Sequence, residues 1–260
     1  EKLKSIDATV YLSEDYRDIN YARENDLKNI HIIPNAADEK EFGIELTGDE
    51  KTRIKNKYGI GGLVLMTLGN YTGEKGHLEL LDIFRKLPVS KSTLISAGSI
   101  KPHDGCFDQF EKEAWSINQS RKLLGKRVVM IEGSNRKDIV DLLKCTDIFV
   151  FFSNVEASPL VIYEAAAAGA PFIASSAGNM PEQAKWLRSG IIVNCTDREN
   201  GRVIINKKSA LFELTKLAYS HNTRKRMSAI GRKNWRNKFT WGKITDEYLK
   251  LYQGRRKADR

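Results

Sequence analysis

Short apolar runs alternate along the chain with longer stretches in which apolar residues recur at helical spacing. The runs have the unbroken hydrophobic character of parallel strands that are buried on both faces of a sheet. Regular alternation of such strands with helices predicts an α/β fold built on a doubly wound parallel sheet. The predicted strands are Leu63–Gly69, Thr93–Gly98, Val128–Ile131, Ile148–Phe152, Pro171–Ser176 and Gly190–Val193. The predicted helices between them begin at His77 or lie over Phe107–Leu124, Asn135–Lys144, Pro159–Ala168 and Pro181–Leu187.

Shorter elements flank this central pattern. The strands Ala8–Leu12 and Ile30–Pro34, with a polar helix over Glu14–Asn25 between them, are too few to form a domain. We interpret them as the tail of a preceding domain, and the sequence, which starts at Glu1, as a fragment of a longer protein. One charged helix is predicted over Glu39–Tyr58. Three helices are predicted to end the chain, over Lys207–Tyr219, Thr223–Phe239 and Trp241–Tyr252.

The stretch Asp147–Ser176 predicts a unit of strand, loop, helix and strand. Ser158 is a good N-cap, and Pro159 suits the first helical position, where a missing N–H costs nothing. Gly169 suits the left-handed position after the helix, and Pro171 prevents its continuation. The N-terminus of a helix in such a unit attracts anions, because its free N–H groups and its dipole point at the ligand.

Candidate side chains follow three of the predicted strands. Lys75 lies in the loop after the strand Leu63–Gly69, and Gly133 and Ser134 lie in the loop after Val128–Ile131. Glu156 and Glu164 lie at the mouth of the helix that follows Ile148–Phe152. Because ligands of a parallel sheet bind beyond the carboxyl ends of its strands, we expect all of them at one edge. A lysine beside a helix N-terminus suits a diphosphate, although a lone loop lysine is ordinarily only solvated.

Glu164 is predicted to lie about one and a half turns into its helix, with a side chain that leans toward the helix N-terminus. In that position it can accept both hydroxyls of a ribose. The ordinary alternative is a surface glutamate, but the apolar neighbours Val161, Ile162 and Ala165–Ala168 predict burial. Because a buried carboxylate without a partner is costly, we expect a ligand hydroxyl as its partner. Glu156, in the loop, is free to meet a second part of the ligand.

The composition is that of an ordinary globular protein with a basic excess. A hydrophobic content of 41% is enough for a sizeable core, and the net charge of +10 favours anionic partners. Much of the excess lies in Arg224–Lys243 and Gly254–Arg260. These runs suit nucleotide phosphates, nucleic acid or an acidic membrane surface, and the ordinary alternative is a solvated helical face.

Several kinds of site are not predicted. Cys106, Cys145 and Cys195 are far apart and fit neither a zinc spacing nor a disulfide framework, so we expect a reducing, cytoplasmic location. No apolar run approaches the roughly 20 residues of a membrane span. His77 is predicted to be a cap or surface residue rather than a base. Since no metal-ligand spacing and no nucleophile motif occur, we expect transfer from an activated donor, without metal or cofactor, assisted by positive charge and dipoles.

Five motifs occur in a particular order along the chain. They are Ile33-Pro34-Asn35-Ala36-Ala37-Asp38, Gly69-Asn70…Glu74-Lys75-Gly76, Glu156-x7-Glu164 before an alanine-rich helix and Gly169-x-Pro171, Ala177-Gly178-Asn179-Met180-Pro181-Glu182, and Phe239-Thr240-Trp241. They are similar to I-P-N-G-V-D, G-R…E-K-G, E-x7-E, G-G-x-P-E and F-S/T-W of one family. The sequence therefore resembles, over nearly its whole length, the C-terminal donor-binding domain of the retaining GT-B glycosyltransferases (the glycosyl transferases group 1 family).

This resemblance implies a domain organisation. The family has two Rossmann-like domains with the active site between them, and this chain resembles the second. Residues 1–34 would be the tail of the N-terminal, acceptor-side domain and the hinge, and residues 35–238 the Rossmann-like nucleotide-sugar-binding domain. Residues 239–260 would be a crossover helix with a basic tail. The fragment is expected to be inactive without its N-terminal domain.

The resemblance also implies roles for individual residues. Lys75 would hold the diphosphate and stabilise its leaving charge, Glu164 would bind the ribose, and Glu156 would position the donor sugar. We expect Lys75 and Glu156 to be the catalytic pair. The remaining donor-binding positions are the backbone N–H groups around Ser158, Pro159 and Leu160, the phosphate loop at Gly69 and Asn70, and the backbone at Gly133 and Ser134 for the base.

Two departures from the family pattern bear on these roles. Asn70 stands where the family has a phosphate-binding arginine, which removes one positive charge from the leaving-group site. Pro159 stands in the loop that is usually E-G-F-G, and it removes one N–H. Both departures affect the expected donor and rate more than the expected class.

The leading hypothesis is a glycosyltransferase domain that passes a sugar from a nucleotide-diphosphate sugar to a saccharide or lipid-linked acceptor, with retention and without metal. Such a role belongs to polysaccharide biosynthesis and the cell envelope. The alternative, favoured by Asn70 and by the absence of the first domain, is a non-catalytic nucleotide-sugar-binding or interaction module. A third hypothesis has the basic C-terminal helices dock on an anionic membrane, as peripheral contact at its inner face, or on nucleic acid, although nucleic acid is not an expected partner.

Overall fold

Parallel strands alternate with helices in the observed fold. The computed structural model describes residues 6–99, 105–123, 125–133, 135–198 and 201–258. The strands are β1 (Thr9–Tyr11), β2 (Ile30–Ile32), β3 (Leu63–Leu68), β4 (Ser92–Ala97), β5 (Lys126–Ile131), β6 (Ile148–Phe151), β7 (Phe172–Ala174), β8 (Gly190–Ile192), β9 (Cys195–Asp197) and β10 (Val203–Ile205). The helices are α1 (Arg17–Glu24), α2 (Glu39–Phe42), α3 (Gly48–Tyr58), α4 (His77–Lys86), α5 (Phe107–Gln119), α6 (Arg136–Lys144), α7 (Leu160–Ala168), α8 (Met180–Leu187), α9 (Lys207–Tyr219), α10 (His221–Lys238) and α11 (Trp241–Ala258).

The main sheet has six parallel strands in the order β5-β4-β3-β6-β7-β8. From β3 the chain builds outward through β4 and β5, and then returns to place β6 on the other side of β3. The carboxyl ends of β3 and β6 therefore flank the point where the strand order reverses, which is where open α/β sheets bind ligands. The predicted doubly wound parallel sheet is confirmed.

Strands of this sheet bury both faces, because successive side chains point to opposite sides. On β3, Leu65 packs into the layer with α4, α5 and α9, while Met66 packs into the layer with α6, α7 and α10. On β6, Ile148 and Phe149 divide in the same way. This two-sided burial explains why the sequence shows unbroken apolar runs rather than alternation.

The single helix predicted over Glu39–Tyr58 is wrong. The chain forms two helices, α2 and α3, because Thr47 caps the second one. Thr47 accepts the N–H of Glu50, and the Glu50 carboxylate accepts the N–H of Thr47 at 2.7 Å. This reciprocal capping box satisfies two amides that a continuous helix would leave to other partners, so it sets a new helix start at this position.

The antiparallel hairpin β9–β10 was not predicted from the sequence. Its strands are three residues each and mix polar with apolar positions, so neither periodicity is visible. The hairpin is joined to the loop after β6 by the N–H of Val203, which donates to the carbonyl of Asn154 at 2.8 Å.

The two ends of the chain meet beside the main sheet. Strands β1 and β2 form a separate parallel pair, and α11 packs Ile244 against Ile33 and Ala36. Trp235 is fully buried, and its indole N–H donates to the carbonyl of Ala37 at 3.2 Å. The proposed domain limits at residues 34 and 238 stay a prediction. None of the helices described in the structure is long and apolar enough to cross a membrane.

Candidate functional site

Lys75 and Glu156 meet where the strand order reverses. Lys75 lies in the loop between β3 and α4, and Glu156 in the loop between β6 and α7. The Lys75 Nζ atom lies 2.6 Å from Glu156 Oε1, and the two side chains are 27% and 12% exposed. The pairing of two candidates that are 81 residues apart places a half-buried ammonium group at the ligand edge of the sheet.

Glycines shape the loop that carries Lys75. A Cβ on Gly98 would lie 2.0 Å from the carbonyl oxygen of Gly69, and one on Gly76 would lie 2.2 Å from the carbonyl oxygen of Phe152. Gly76 also has φ of +70°, a left-handed conformation that favours glycine. The N–H of Asn154 donates to the carbonyl of Glu74 at 2.7 Å. The loop therefore lies directly against the end of β6, and this contact brings Lys75 to Glu156.

The loop that carries Glu156 is held from the opposite side by Gly178 and Asn179. A Cβ on Gly178 would lie 2.5 Å from the carbonyl oxygen of Ala157, and the N–H of Asn179 donates to that same oxygen at 2.8 Å. The Asn179 side-chain amide also donates to Ser158 Oγ at 3.2 Å. These contacts explain why the Ala177–Glu182 motif has a glycine at position 178 and an amide side chain at position 179.

The prediction that Ser158 caps the central helix is wrong by one residue. Helix α7 begins at Leu160, Pro159 is its N-cap with extended backbone, and no side chain caps it. Ser158 Oγ instead accepts the amide of Asn179. As predicted, Gly169 ends the helix in a left-handed conformation, with φ of +80°. The first N–H groups of α7 are therefore left at the ligand edge without a side-chain acceptor, a suitable arrangement for an anion.

Glu164 is buried as predicted, but its partner is a protein group. Its carboxylate, 10% exposed, accepts a hydrogen bond at 2.6 Å from Arg136 Nη2, the same nitrogen that lies 2.6 Å from Glu41 Oε2. Arg136 Nε also donates to Glu41 at 2.9 Å. The hydrogen bonds to Glu41 and Glu164 raise the pKa of Arg136. Burial of Glu164 therefore does not by itself require a ligand hydroxyl, contrary to the argument from sequence.

A cleft of about 250 Å³ adjoins the Lys75 loop. Gly69, Asn70, Gly98, Ser99 and Gly133 form its polar backbone side, and its apolar side consists of Leu68, Ile131, Ile139 and Val161. The structure thus brings together three of the predicted donor-binding positions, Gly69, Asn70 and Gly133. Ser134 lies outside the described residues.

The segment that precedes the main sheet is hydrogen-bonded to the Glu156 loop and to the first turn of α8. The Tyr16 hydroxyl donates to the carbonyl of Glu156 at 2.8 Å, and the Asn35 amide donates to the carbonyl of Ser158 at 2.9 Å. The Glu182 carboxylate accepts the N–H groups of Glu14 and Asp15 at 2.8 and 2.9 Å. Sequence reasoning missed these contacts, since they join positions up to 168 residues apart.

The chain is similar in sequence and in fold to known proteins. A family model described as "Glycosyl transferases group 1" matches residues 50–234, which is well over half of the chain. The chain belongs to that family. The predicted resemblance is thereby confirmed, and the match spans both loops of the Lys75–Glu156 pair.

Individual proteins and solved structures resemble the chain over most of its length. It is 26% identical over 237 residues to mannosylfructose-phosphate synthase of Agrobacterium fabrum, covering 88% of this chain and 48% of that protein. Sucrose-phosphate synthase from Thermosynechococcus elongatus superposes with a TM-score of 0.75 at 18% identity, covering 98% of this chain and 60% of that one. Anabaena Alr3699/HepE in complex with UDP-glucose superposes with a TM-score of 0.76 at 14% identity, covering 95% of this chain and 64% of that one. The chain spans about half the length of the curated relatives it matches.

The salt bridge between Arg136 and the buried Glu164 can be tested by substitution. Replacing Arg136 with methionine should lower the free energy of unfolding by about 2 kcal/mol, because it leaves the buried Glu164 carboxylate without its charged partner. The matched control is Lys137→Met, one residue along α6, whose side chain is 83% exposed and pairs with Asp141 across one helical turn. That surface pair is exposed to solvent, so its loss should change stability much less. Urea unfolding of both variants measures the difference, and equal losses would contradict the buried Arg136–Glu164 pair.

His77 is buried beside the Lys75 loop, not exposed as expected from sequence. It is 2% exposed, and its ring centroid lies 4.5 Å from that of Tyr71. Burial lowers the pKa of His77 to about 4; the Gly69 backbone opposes this shift, and the charge of Lys75 adds to it. With that pKa, the imidazole is neutral at pH 7 and is not suited to act as a proton donor.

The buried imidazole should make stability depend on pH. Below the ordinary histidine pKa of 6.5 the unfolded chain binds a proton that the folded chain does not, so stability falls as the pH falls from about 6.5 to about 4. The full loss is about 3 kcal/mol. In His77→Leu this component should vanish, so the variant should lose less stability than the wild type between pH 7.5 and pH 4.5. His221→Leu, at an exposed position, is the control and should keep the wild-type pH slope.

The residues of the site do not form an evident metal centre. In the part of the chain that the structure describes, no group of three or more His, Cys, Asp or Glu side chains is placed to hold a metal ion. The dominant charges at the ligand edge are instead the ammonium of Lys75 and the guanidinium of Arg136, each paired with a glutamate.

Proposed function

We propose that this chain is the donor-binding half of a glycosyltransferase that uses a nucleotide-diphosphate sugar. The observation that carries the proposal is the Lys75–Glu156 pair at the reversal of strand order, directly beside the uncapped N-terminus of α7. An ammonium group and free helix N–H groups together provide the positive field that a diphosphate requires.

The proposed leaving group is the nucleoside diphosphate. As the bond between the anomeric carbon and the diphosphate oxygen breaks, negative charge develops on that oxygen. Lys75 would stabilise this charge. When the Lys75 ammonium moves from Glu156 to the phosphate, the Glu156 carboxylate would become free to bind the hydroxyls of the donor sugar. The helix dipole of α7 adds to the effect, and both groups are already in position before reaction begins.

The nucleoside would occupy the cleft beside the Lys75 loop. The apolar side of the cleft suits the face of a base, and the backbone at Gly133 suits its polar edge. Glu164 lies on the helix that follows Glu156, where it would accept ribose hydroxyls while Arg136 keeps its carboxylate in place. The UDP-glucose complex of Anabaena Alr3699/HepE, a protein of the same fold, supports a nucleotide sugar as the class of donor.

The proposal extends to retention of anomeric configuration, to metal independence, and to a saccharide or lipid-linked acceptor. Retention and the acceptor class rest on the resemblance of the Glu156-x7-Glu164 motif and its neighbours to those of the retaining glycosyltransferases. Metal independence is supported by Lys75, which would supply at the diphosphate the charge that a divalent ion supplies elsewhere. The acceptor would approach from the side of residues 8–34, which already contact the Glu156 loop.

A thermal-shift screen of nucleotide sugars against the chain tests the proposal, because a ligand that binds only the folded state raises its stability. We expect nucleoside diphosphates and their sugars to raise the melting temperature, and the matching nucleoside monophosphates to do so far less. Glu164→Gln should weaken the response to ribonucleotides. If no nucleoside diphosphate or nucleotide sugar shifts the melting temperature, the proposal fails.

The alternative, a non-catalytic nucleotide-sugar-binding module, is favoured by one observation. Asn70 replaces a cation at the phosphate loop, and its Oδ1 accepts the N–H of Ser99 at 3.4 Å. A turnover assay on the complete protein separates the two functions. Transfer that Glu156→Ala abolishes would exclude the module, whereas nucleotide-sugar binding without any turnover would favour it.

A further inference from the structure

A second concave surface with strong positive charge lies at the edge of the sheet opposite Lys75 and Glu156. It is a cleft of about 390 Å³ beside the amino ends of β6 and β7, where α6 and α7 end and α10 begins. We call it the basic cleft. The basic side chains that line it are Lys51, Lys144, Arg224, Lys225 and Arg232.

The positive charge of the basic cleft is only partly balanced. Its two carboxylates, Glu45 and Asp147, leave an excess of three positive charges. Both are already engaged, because Glu45 Oε1 lies 2.7 Å from Arg232 Nη1 and Asp147 Oδ2 accepts the N–H of Val64 at 2.8 Å. Among the described residues, neither carboxylate forms an ion pair with one of the three lysines.

Helix dipoles do not account for the excess. Cations near helix C-termini ordinarily complement the dipole, and α6, α7 and α9 all end at the basic cleft, where Arg224 donates to the carbonyls of Leu217 and Ala218 at the end of α9. Each such end carries about half a negative charge, and the start of α10 carries about half a positive one. Together they leave about one negative charge, less than the excess of three positive charges.

Several hydrogen-bond donors of the basic cleft are unused. Among the residues that the structure describes, no acceptor lies within hydrogen-bond distance of the ammonium groups of Lys51, Lys144 or Lys225. Within the same residues the buried Arg232 Nε has no acceptor either. Burial lowers the pKa of Lys144; the charge of Asp141 opposes this shift, and the charge of Arg232 adds to it. An anion in the cleft would relieve this unfavourable concentration of positive charge.

We propose that the basic cleft binds a phosphate-bearing ligand with at least two negative charges, such as a phosphomonoester or a diphosphate. Its volume of about 390 Å³ is in the range of small-molecule sites, which a flat basic face would not provide. The ligand is either a free phosphorylated metabolite or the headgroup of an acidic phospholipid. The site lies across the sheet from the proposed donor site and does not depend on it.

Titration calorimetry with inorganic pyrophosphate tests this site. The experiment uses Lys75→Met as background, so that binding at the proposed donor site is weakened and contributes less. We expect saturable binding in this background that becomes at least about tenfold weaker when Lys51→Ala and Lys225→Ala are added. The matched control adds Lys185→Ala and Lys233→Ala, two exposed lysines outside the basic cleft, and should stay within about twofold.

A second arm identifies the source of the phosphate group. The same variants are sedimented with phosphatidylcholine vesicles that contain phosphatidic acid. If the basic-cleft variant selectively loses pyrophosphate binding and the protein does not bind the vesicles, the ligand is a free phosphorylated compound. If the variant selectively loses vesicle binding, the ligand is a lipid headgroup. If the basic-cleft variant and its control bind both probes equally well, the proposal is overturned.

Discussion

Replacing Lys75 with methionine should weaken binding of a nucleotide-diphosphate sugar roughly 10- to 100-fold, the effect of losing one hydrogen bond between charged groups. For the proposed sugar transfer, kcat/KM should fall further, by about 100- to 1000-fold, because charge on the leaving oxygen is largest in the transition state. Calorimetry on the chain and initial rates on the complete protein measure the two effects. Lys112→Met, at an exposed position on α5, is the control and should change neither.

Lys75→Met also removes the partner of Glu156, whose side chain is 12% exposed. The double variant Lys75→Met with Glu156→Gln replaces the pair by neutral groups of similar size, so it separates loss of charge from loss of fold. If Lys75→Met folds, as judged by urea unfolding, and keeps wild-type affinity for every nucleoside diphosphate, Lys75 does not hold the donor.

Replacing Gly76 with alanine should destabilise the chain by about 3 kcal/mol. Part of this is the cost of a left-handed conformation for a residue with a Cβ, about 1 kcal/mol. The rest comes from overlap with the end of β6, since the new Cβ would lie 2.2 Å from the carbonyl oxygen of Phe152. Urea unfolding gives the loss directly, and affinity for the donor should fall as well because Lys75 is the adjacent residue.

Gly73 provides a control within the same loop. It has φ of +78°, close to that of Gly76, but no atom lies within 4 Å of the position of its Cβ. Gly73→Ala should therefore cost only the conformational part, about 1 kcal/mol. The difference between the two variants measures the close approach of the Lys75 loop to β6. Equal losses would mean that this approach is absent in solution.

Much of the architecture could be predicted because the physical signals are local. A strand buried on both faces, such as β3 or β6, must be apolar throughout, and its predicted limits agree with the structure to within one residue. Parallel strands bring all their following loops to one edge, so the meeting of Lys75 and Glu156 also follows from the strand pattern. The break between α2 and α3 was equally readable, since Thr47-x-x-Glu50 is a capping-box signal that the charged composition of the segment obscured.

The parts that could not be predicted depend on pairing over long distances. Arg136 contacts Glu41 and Glu164, which lie 95 and 28 residues away, and no local pattern marks such a pair. The displaced start of α7 has the same origin, because the Ser158 hydroxyl is used by Asn179, the residue that precedes α8. The burial of His77 depends on the ring of Tyr71 and on α5, which supplies Phe110, and not on its neighbours in sequence.

The hydrogen bond from the Tyr16 hydroxyl to the carbonyl of Glu156 has a consequence for how the chain responds to its ligand. Two binding events that share one structural contact are thermodynamically reciprocal: each changes the equilibrium of the other by the same factor. A donor that rearranges the Glu156 loop and so weakens its attachment to residues 8–34 must be weakened equally by whatever strengthens that attachment. In that case the segment around Tyr16 would act as an effector of donor affinity, and donor titration would report how far it occupies the loop.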